Sequence, residues 1–413
     1  MKAVLVIGDG MADRPIRELG WKTPLEAARK PSLNQIAKTG ICGIMDPISP
    51  GLPPGSDTAT LALLGYDASK VYSGRGALEA IGSGVKVLPS DVAFRCNFAT
   101  VDRNLVVLDR RAGRIVNEDA TKLAGSLQKI KLKKLLGAKF FFENTIQHRA
   151  VLVIRKRGLS TAVSDSDPGE VGEKVSDVKP LDDSSGAKLT AEIVNELMRG
   201  FHKILKDHPV NEERAKRGVP PANMILCRGA GTVPNIKPLS QVYGISAACI
   251  GATPYVRGVC KAAGMKLIDV KGATGTPQTD FMAKAKATIQ ALKTNEFVLL
   301  HVKATDVASH DGNIEQKIEL IEKIDHVLGY VLSNIDLDAT HLSVTADHTT
   351  SSITRNHEGD PVPIAITGPC VRRDDVEEFD ERACAKGGLN RIRGMDLMPI
   401  LMNLIGKAKK FGA

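Results

Sequence analysis

The chain has 413 residues, 43% of them hydrophobic and 4% aromatic, with a formal net charge of +9. At roughly 100–200 residues per domain it suits two or three domains, with interior enough to fold without disulfides or a structural metal. The basic excess falls in runs, Lys129, Lys131, Lys133 and Lys134 and then Lys407, Lys409 and Lys410; no aromatic interleaves the first, which argues against a nucleic-acid partner and for solvated helix faces or attraction of small anions.

Residues 3–7 form a continuous apolar run, the mark of a strand covered on both faces, as in a parallel sheet. Asp9 and Gly10 follow as its turn. Pro53-Pro54-Gly55 makes a tight turn before Ser56, and Ala59, Leu61, Leu63 and Leu64 carry a helix onward. Residues 92–107 read as extended strands turning at 102–104. A helix opens at Asn117-Glu118-Asp119 and runs to about residue 129, runs 140–142 and 150–154 form a strand pair, and 189–206 is an amphipathic helix. Two polar tracts, 164–188 and 207–223, read as mobile loops. Apolar strands return at 297–302, 342–345 and 362–367, with a helical repeat at 314–331 between them. Strand–helix alternation at both ends predicts an α/β fold, a mostly parallel sheet flanked by helices, built from residues 1–90 and 226–413. A smaller α+β domain, residues 91–225, is inserted between them.

The seven cysteines, Cys42, Cys96, Cys227, Cys249, Cys260, Cys370 and Cys384, show no CxxC spacing and read as reduced thiols acting as small apolar side chains. The N-terminal apolar run is too short for a secretory signal, and no stretch approaches the ~20 apolar residues of a membrane span. A cytoplasmic location and no membrane partner are expected.

Metal-type ligands gather just past the ends of the predicted strands, where open α/β sheets bind ligands. Asp9 follows the first strand. Asp306 and His310 follow the strand at 297–302 with a D-x-x-x-H spacing that sets both on one helix face. Asp347 and His348 are adjacent after the strand at 342–345, and His357 lies in the short polar stretch beyond. Each also has an ordinary reading: a turn, a helix cap, a surface histidine. Ser56 or Asp57 would serve as a helix N-cap, yet a helix start is also where amides and the dipole favour a phosphate. A set of oxygen and nitrogen ligands without cysteine suits Mn, Zn, Co or Mg. Two ions about 3.5–4 Å apart clamp the attacking and leaving oxygens of an in-line displacement at phosphorus.

The order D…S…D-x-x-x-H…D-H…H resembles that of the alkaline phosphatase superfamily. The fuller resemblance, over nearly the whole chain, is to the archaeal-type branch of the cofactor-independent phosphoglycerate mutases. It rests on Gly8-Asp-Gly10, Pro54-Gly-Ser-Asp-Thr-Ala59, Gly74-Arg-Gly-Ala-Leu-Glu-Ala80, Phe94-Arg-Cys-Asn-Phe98, Asp109-Arg-Arg-Ala-Gly-Arg114, Ser164-Asp-Ser-Asp-Pro168 and Arg228-Gly-Ala-Gly231. The resemblance implies an alkaline-phosphatase-like sheet and two divalent metal ions, Mn foremost with Zn, Co or Mg as alternatives. Asp306, His310 and His357 would hold one, and Asp9, Asp347 and His348 with Ser56 the other. It implies interconversion of 3-phosphoglycerate and 2-phosphoglycerate through a phosphoserine at Ser56, without 2,3-bisphosphoglycerate, by a monomer or small homo-oligomer. Arginines are natural clamps for a substrate with a carboxylate and a phosphate. His148, Arg149, Arg228 and Arg257 are the candidates, with the inserted domain as a lid. Asp165 or Asp167 would carry the proton between the glycerate hydroxyls. A metal-dependent phosphomonoesterase or another phosphomutase is the alternative; a sulfatase is disfavoured because Asp-Thr-Ala follows Ser56 where a Pro-x-Arg pattern belongs.

Overall fold

The computed structural model describes residues 1–130, 137–410 and 412, so Lys131, Lys133 and Lys134 of the basic run lie outside the described residues. The chain divides into two compact units, Met1–Tyr72 with Asn235–Ala413, and Ser73–Pro234. The first segment contributes β1 (Lys2–Gly8) and β2 (Ile41–Asp46). The middle contributes β3 (Asp91–Val101), β4 (Val107–Asp109), β5 (Lys139–Ile146), β6 (Arg149–Arg155) and β7 (Met224–Gly231). The last segment contributes β8 (Ala247–Ile250), β9 (Lys266–Leu267), β10 (Phe297–Val302), β11 (Thr340–Thr345), β12 (Thr349–Thr350), β13 (His357–Glu358), β14 (Val362–Thr367) and β15 (Asn390–Arg393).

The first unit is built on an eight-stranded sheet in the order β15-β2-β14-β11-β1-β10-β8-β9. The pairs along β11-β1-β10-β8-β9 are all parallel, and β14 runs antiparallel to both β11 and β2. The apolar runs are continuous because both faces are covered: Ala3 to Ile7 and Phe297 to Leu300 have no exposed surface. Among the flanking helices, Ile314–Asn334 packs on Pro31–Thr39 and Phe281–Leu292. Register does the positioning. Gly8 pairs with Val302 and Ile7 with Thr345, so the residues that follow, Asp9, Lys303 and Asp347, leave the sheet at one carboxyl edge. No helix among the described residues is long and apolar enough to cross a membrane.

The second unit is an antiparallel sheet in which β3 pairs with both β6 and β7. Phe94, Phe98, Phe142, Phe201 and Leu197 fill its core, and Phe98 meets Phe142 edge-on at 5.9 Å. The unit reaches from Ser73 to Pro234, wider than the 91–225 read from sequence, because the helix Arg75–Gly82 packs on β3, β6 and β7. Glycine makes that packing possible. Gly74 holds φ at +98°, and a Cβ on Gly76 would lie 2.2 Å from the Ala93 carbonyl oxygen.

The 207–223 tract also differs from its expected loop. It contains the helix Pro209–Lys216, with His208 as N-cap and Pro209 in the first turn. Arg214 is 2% exposed; its guanidinium donates to Asp119, at 3.1 Å, and to the carbonyls of Ala112 and Pro220. Charge concealed the helix because its two deeply buried polar side chains, Asn211 and Arg214, are satisfied internally. Arg214→Ala leaves Asp119 only the exposed Arg217, at 3.2 Å, and takes the donor from the Ala112 and Pro220 carbonyls. It should cost about 1.5–3 kcal/mol, read as a lower denaturation midpoint by circular dichroism; an unchanged midpoint would contradict this anchoring.

Candidate active site

Ser56 begins the helix Ser56–Leu63, with Gly55 as the N-cap. Its hydroxyl makes no capping bond and instead meets His348 Nε2 at 3.0 Å and Lys303 Nζ at 3.4 Å. Asp306 and His310 share the helix Ala304–Asp311, where Asp306 Oδ1 lies 3.4 Å from His310 Nε2 and 3.3 Å from His357 Nε2. His357 opens β13, paired to Thr350 on β12, a two-strand hairpin that returns it to the sheet edge. His348 Nε2 lies 3.4 Å from Asp9 and 3.5 Å from Asp347. The seven side chains are therefore brought together. Asp9, Asp347 and His348 form one close group; Asp306, His348 and His357 form another, so His348 is within reach of both.

The outward nitrogens fix the inward ones. His310 Nδ1 lies 2.7 Å from the Arg355 carbonyl oxygen and His357 Nδ1 2.7 Å from that of Pro54. A carbonyl only accepts, so each Nδ1 carries the proton. The Thr350 hydroxyl donates to Asp306 Oδ1 and so accepts from His348 Nδ1, 2.9 Å away. All three Nε2 atoms then present lone pairs, two of them, on His310 and His357, 3.3 Å apart. Lone pairs facing lone pairs and carboxylates demand a cation. Asp347 Oδ2 is buried without a hydrogen-bond partner, and the donor set fits a divalent ion.

Charge follows the same pattern. Burial pushes the Asp347 carboxyl up to about 7, and the neighbouring Asp9 charge adds to it. Burial alone would raise Asp9 and Asp306 too, but the Lys303 ammonium reverses this and holds both below the usual carboxylate range. Burial would lower Lys303; Asp9, then Tyr255 and Asp306, drive it well above its ordinary value. The Asp306 carboxylate, 3.4 Å from Nε2, raises His310 by favouring a proton on that nitrogen where no metal takes its lone pair. The cluster attracts positive charge, as proton or as metal.

The second unit holds a dense cationic group. Arg75 and Arg95 flank the buried Glu79, at 3.6 and 3.4 Å. Burial, with Arg228, Arg75 and Arg149 nearby, pushes Arg95 down to about 10 despite Glu79. Burial, then Arg149, Arg111, Arg95 and Arg228, pushes His148 down to about 4, so it is neutral at pH 7. Asp167 is forked by Arg110 at 3.0 and 2.8 Å and lies 3.6 Å from Arg228. Burial would raise Asp167, but Arg110 holds it below its usual range. Asp165 is exposed, and its Oδ1 accepts only the Gly229 amide, at 2.8 Å. Of the sequence candidates, Arg228, Asp167, His148 and Arg149 thus share one electrostatic neighbourhood. Arg257 belongs to the first unit. Its guanidinium is bound to Asp269 at 2.6 Å and to the Gly251 carbonyl, and it lines a cavity of about 380 Å³ with Lys271.

Sequence reasoning missed Lys303, which bridges Asp9 at 2.9 Å and Asp306 at 2.6 Å. It missed His301, whose Nε2 lies 3.0 Å from Asp9 Oδ2, and also Arg75, Glu79, Arg95 and Arg110. A lysine three residues before Asp306, at a strand end, was the available signal for the first.

Residues 37–211 match the family model described as 2,3-bisphosphoglycerate-independent phosphoglycerate mutase. The chain is 52% identical to the 2,3-bisphosphoglycerate-independent phosphoglycerate mutase 1 of Methanocaldococcus jannaschii, over 100% of this chain and 99% of that one. It is 49% identical to the enzyme of that name without a number from Methanococcus maripaludis, over 100% of both. Among solved structures, a protein of Pyrococcus horikoshii superposes with a TM-score of 0.88 at 39% identity, covering 100% of this chain and 99% of that one. The cofactor-independent phosphoglycerate mutase of Thermoplasma acidophilum superposes with a TM-score of 0.71 at 37% identity, covering 98% and 100%.

Proposed function

The chain belongs to the family of 2,3-bisphosphoglycerate-independent phosphoglycerate mutases, and on that premise we propose that it interconverts 3-phosphoglycerate and 2-phosphoglycerate through a phosphoserine at Ser56. The observation that carries this reading is the clustering of Asp9, Asp306, Asp347, His310, His348 and His357, with His348 Nε2 3.0 Å from the Ser56 hydroxyl. Two divalent cations fit there, manganese foremost, with zinc, cobalt or magnesium as alternatives. Asp306, His310 and His357 would hold one, Asp9, Asp347 and His348 the other, with Ser56 beside them. Such ions, when bound, make a serine hydroxyl acidic and neutralise phosphoryl charge.

The chain's own groups account for the rest. Ser56 Oγ, its proton lost to solvent, attacks phosphorus as the bond from phosphorus to one glycerate oxygen breaks; the other glycerate hydroxyl then attacks the phosphoserine, its bond to phosphorus forms, and the Ser56 Oγ–phosphorus bond breaks. Lys303, beside Ser56 and the carboxylates, balances negative charge and donates to phosphoryl oxygens. Asp165 takes the proton of one glycerate hydroxyl and returns it to the other; Asp167 positions Arg110 and Arg228 and is a poorer base because Arg110 occupies it. Arg149, Arg228 and neutral His148 hold the glycerate carboxylate, with Arg257 a further anion contact. Glycerate must stay bound and keep water from the phosphoserine, or the enzyme becomes a phosphatase.

That competition supplies the test. The enzyme should equilibrate the two phosphoglycerates without accumulating free phosphate, and Arg149→Ala should lose about 2–5 kcal/mol of transition-state stabilisation while phosphate release rises relative to mutase turnover. Both rates are read from one reaction. Net hydrolysis by the unaltered enzyme would make it a phosphomonoesterase, and a proportional loss of both rates would remove Arg149 from the carboxylate clamp.

A further inference from the structure

Six of the seven cysteines are buried, and only Cys370 is exposed. Two of the buried six face each other: Cys96 on β3 and Cys227 on β7 are register partners with sulfurs 3.6 Å apart. Small apolar packing does not require cysteines to meet one another; alanine or valine would fill those positions as well.

The pair has the backbone geometry a bridge needs. Cys227 N–H donates to Ser166 Oγ at 2.8 Å, and its carbonyl accepts the Ser166 N–H at 2.9 Å. Both polar groups of Cys227 thus point away from β3, which makes Cys96 and Cys227 a non-hydrogen-bonded pair. Such pairs bring their Cα atoms to about 4.5 Å, inside the ~4.4–6.8 Å span of disulfides. We infer that Cys96 and Cys227 close as an intrachain disulfide.

Closure breaks two S–H bonds and forms one S–S bond. Two electrons and two protons pass to a low-molecular-weight disulfide, which leaves as two thiols through a mixed-disulfide intermediate. Burial, then Cys227, raises the Cys96 thiol pKa. Little thiolate is therefore present in the closed fold. A bridge forms when local opening admits the oxidant and afterwards is shielded from reductant. The Cys96–Cys227 bridge would also fix the spacing of the strands that carry Arg95 and Arg228, register partners one residue away. This inference stands whether or not those arginines bind substrate.

The test is a thiol census on the full chain. Protein is incubated with oxidised glutathione, unfolded in denaturant with an alkylating agent, and weighed and peptide-mapped, with a fully reduced sample alongside. The expected count falls from seven alkylated thiols to five, with the peptides of Cys96 and Cys227 linked and a higher melting temperature for the oxidised form. Cys96→Ala should remove that link and free the thiol of Cys227. Seven alkylated thiols after oxidation, glutathione adducts on either cysteine in place of the bridge, or either cysteine paired elsewhere would overturn the inference, and because the count is made on the unaltered chain, it decides even if the variant fails to fold.

Discussion

Ser56→Ala should lose at least about a thousandfold in turnover while keeping the fold, since removing a nucleophile leaves only binding and electrostatic rate enhancement. Stability is spared because Ser56 is not the helix cap: Gly55 takes that position, and the Ser56 hydroxyl faces His348 and Lys303. The loss should stay below the ~1 kcal/mol typical of a capping side chain. Initial rates and a melting curve on the same preparation check both halves. A variant that retains a tenth of the activity would place the nucleophile elsewhere.

Removing divalent metal should abolish activity altogether. With no cation among them, the three carboxylates and the inward lone pairs of His310, His348 and His357 repel one another, and the Lys303 ammonium reaches Asp9 and Asp306 but not all of them. Dialysis against a chelator, then separate additions of Mn, Co, Zn and Mg, should restore activity to different extents without added 2,3-bisphosphoglycerate. Asp306→Asn weakens the group formed with His310 and His357 and should raise the metal concentration for half-activity by at least about a hundredfold, the upper end of what an outer-shell change costs. Full activity in the chelated enzyme, or an absolute requirement for the bisphosphate, would contradict the proposed chemistry.

The strands were legible because covered strands write themselves as unbroken apolar runs. The proposed ligands stood out because each follows such a run within a few residues: Asp9 after β1, Asp306 after β10, Asp347 after β11. Lys303 was not, because one lysine beside a strand is ordinary until the fold sets Asp9 and Asp306 on either side of it. Arg75 and Glu79 were hidden for a different reason. Their helix depends on Gly74 and Gly76 admitting a backbone close to Ala230 and Ala93, a steric fact that only the packed sheet displays. The helix Pro209–Lys216 carries no apolar stripe, since its buried contacts are Val210, Asn211 and Arg214, and periodicity could not find it. Cys96 and Cys227 meet across strands far apart in the chain, so spacing gave no hint of the pair.

Covalent phosphoryl transfer through Ser56 is tested most directly by trapping the enzyme in turnover. Acid quenching at saturating 3-phosphoglycerate, followed by proteolysis and mass mapping, should place one phosphoryl group on the peptide containing Ser56, on the serine itself, and none in the Ser56→Ala variant. A quenched enzyme that turns over fully yet carries no phosphate on that serine, or carries it on another residue, would contradict the mechanism.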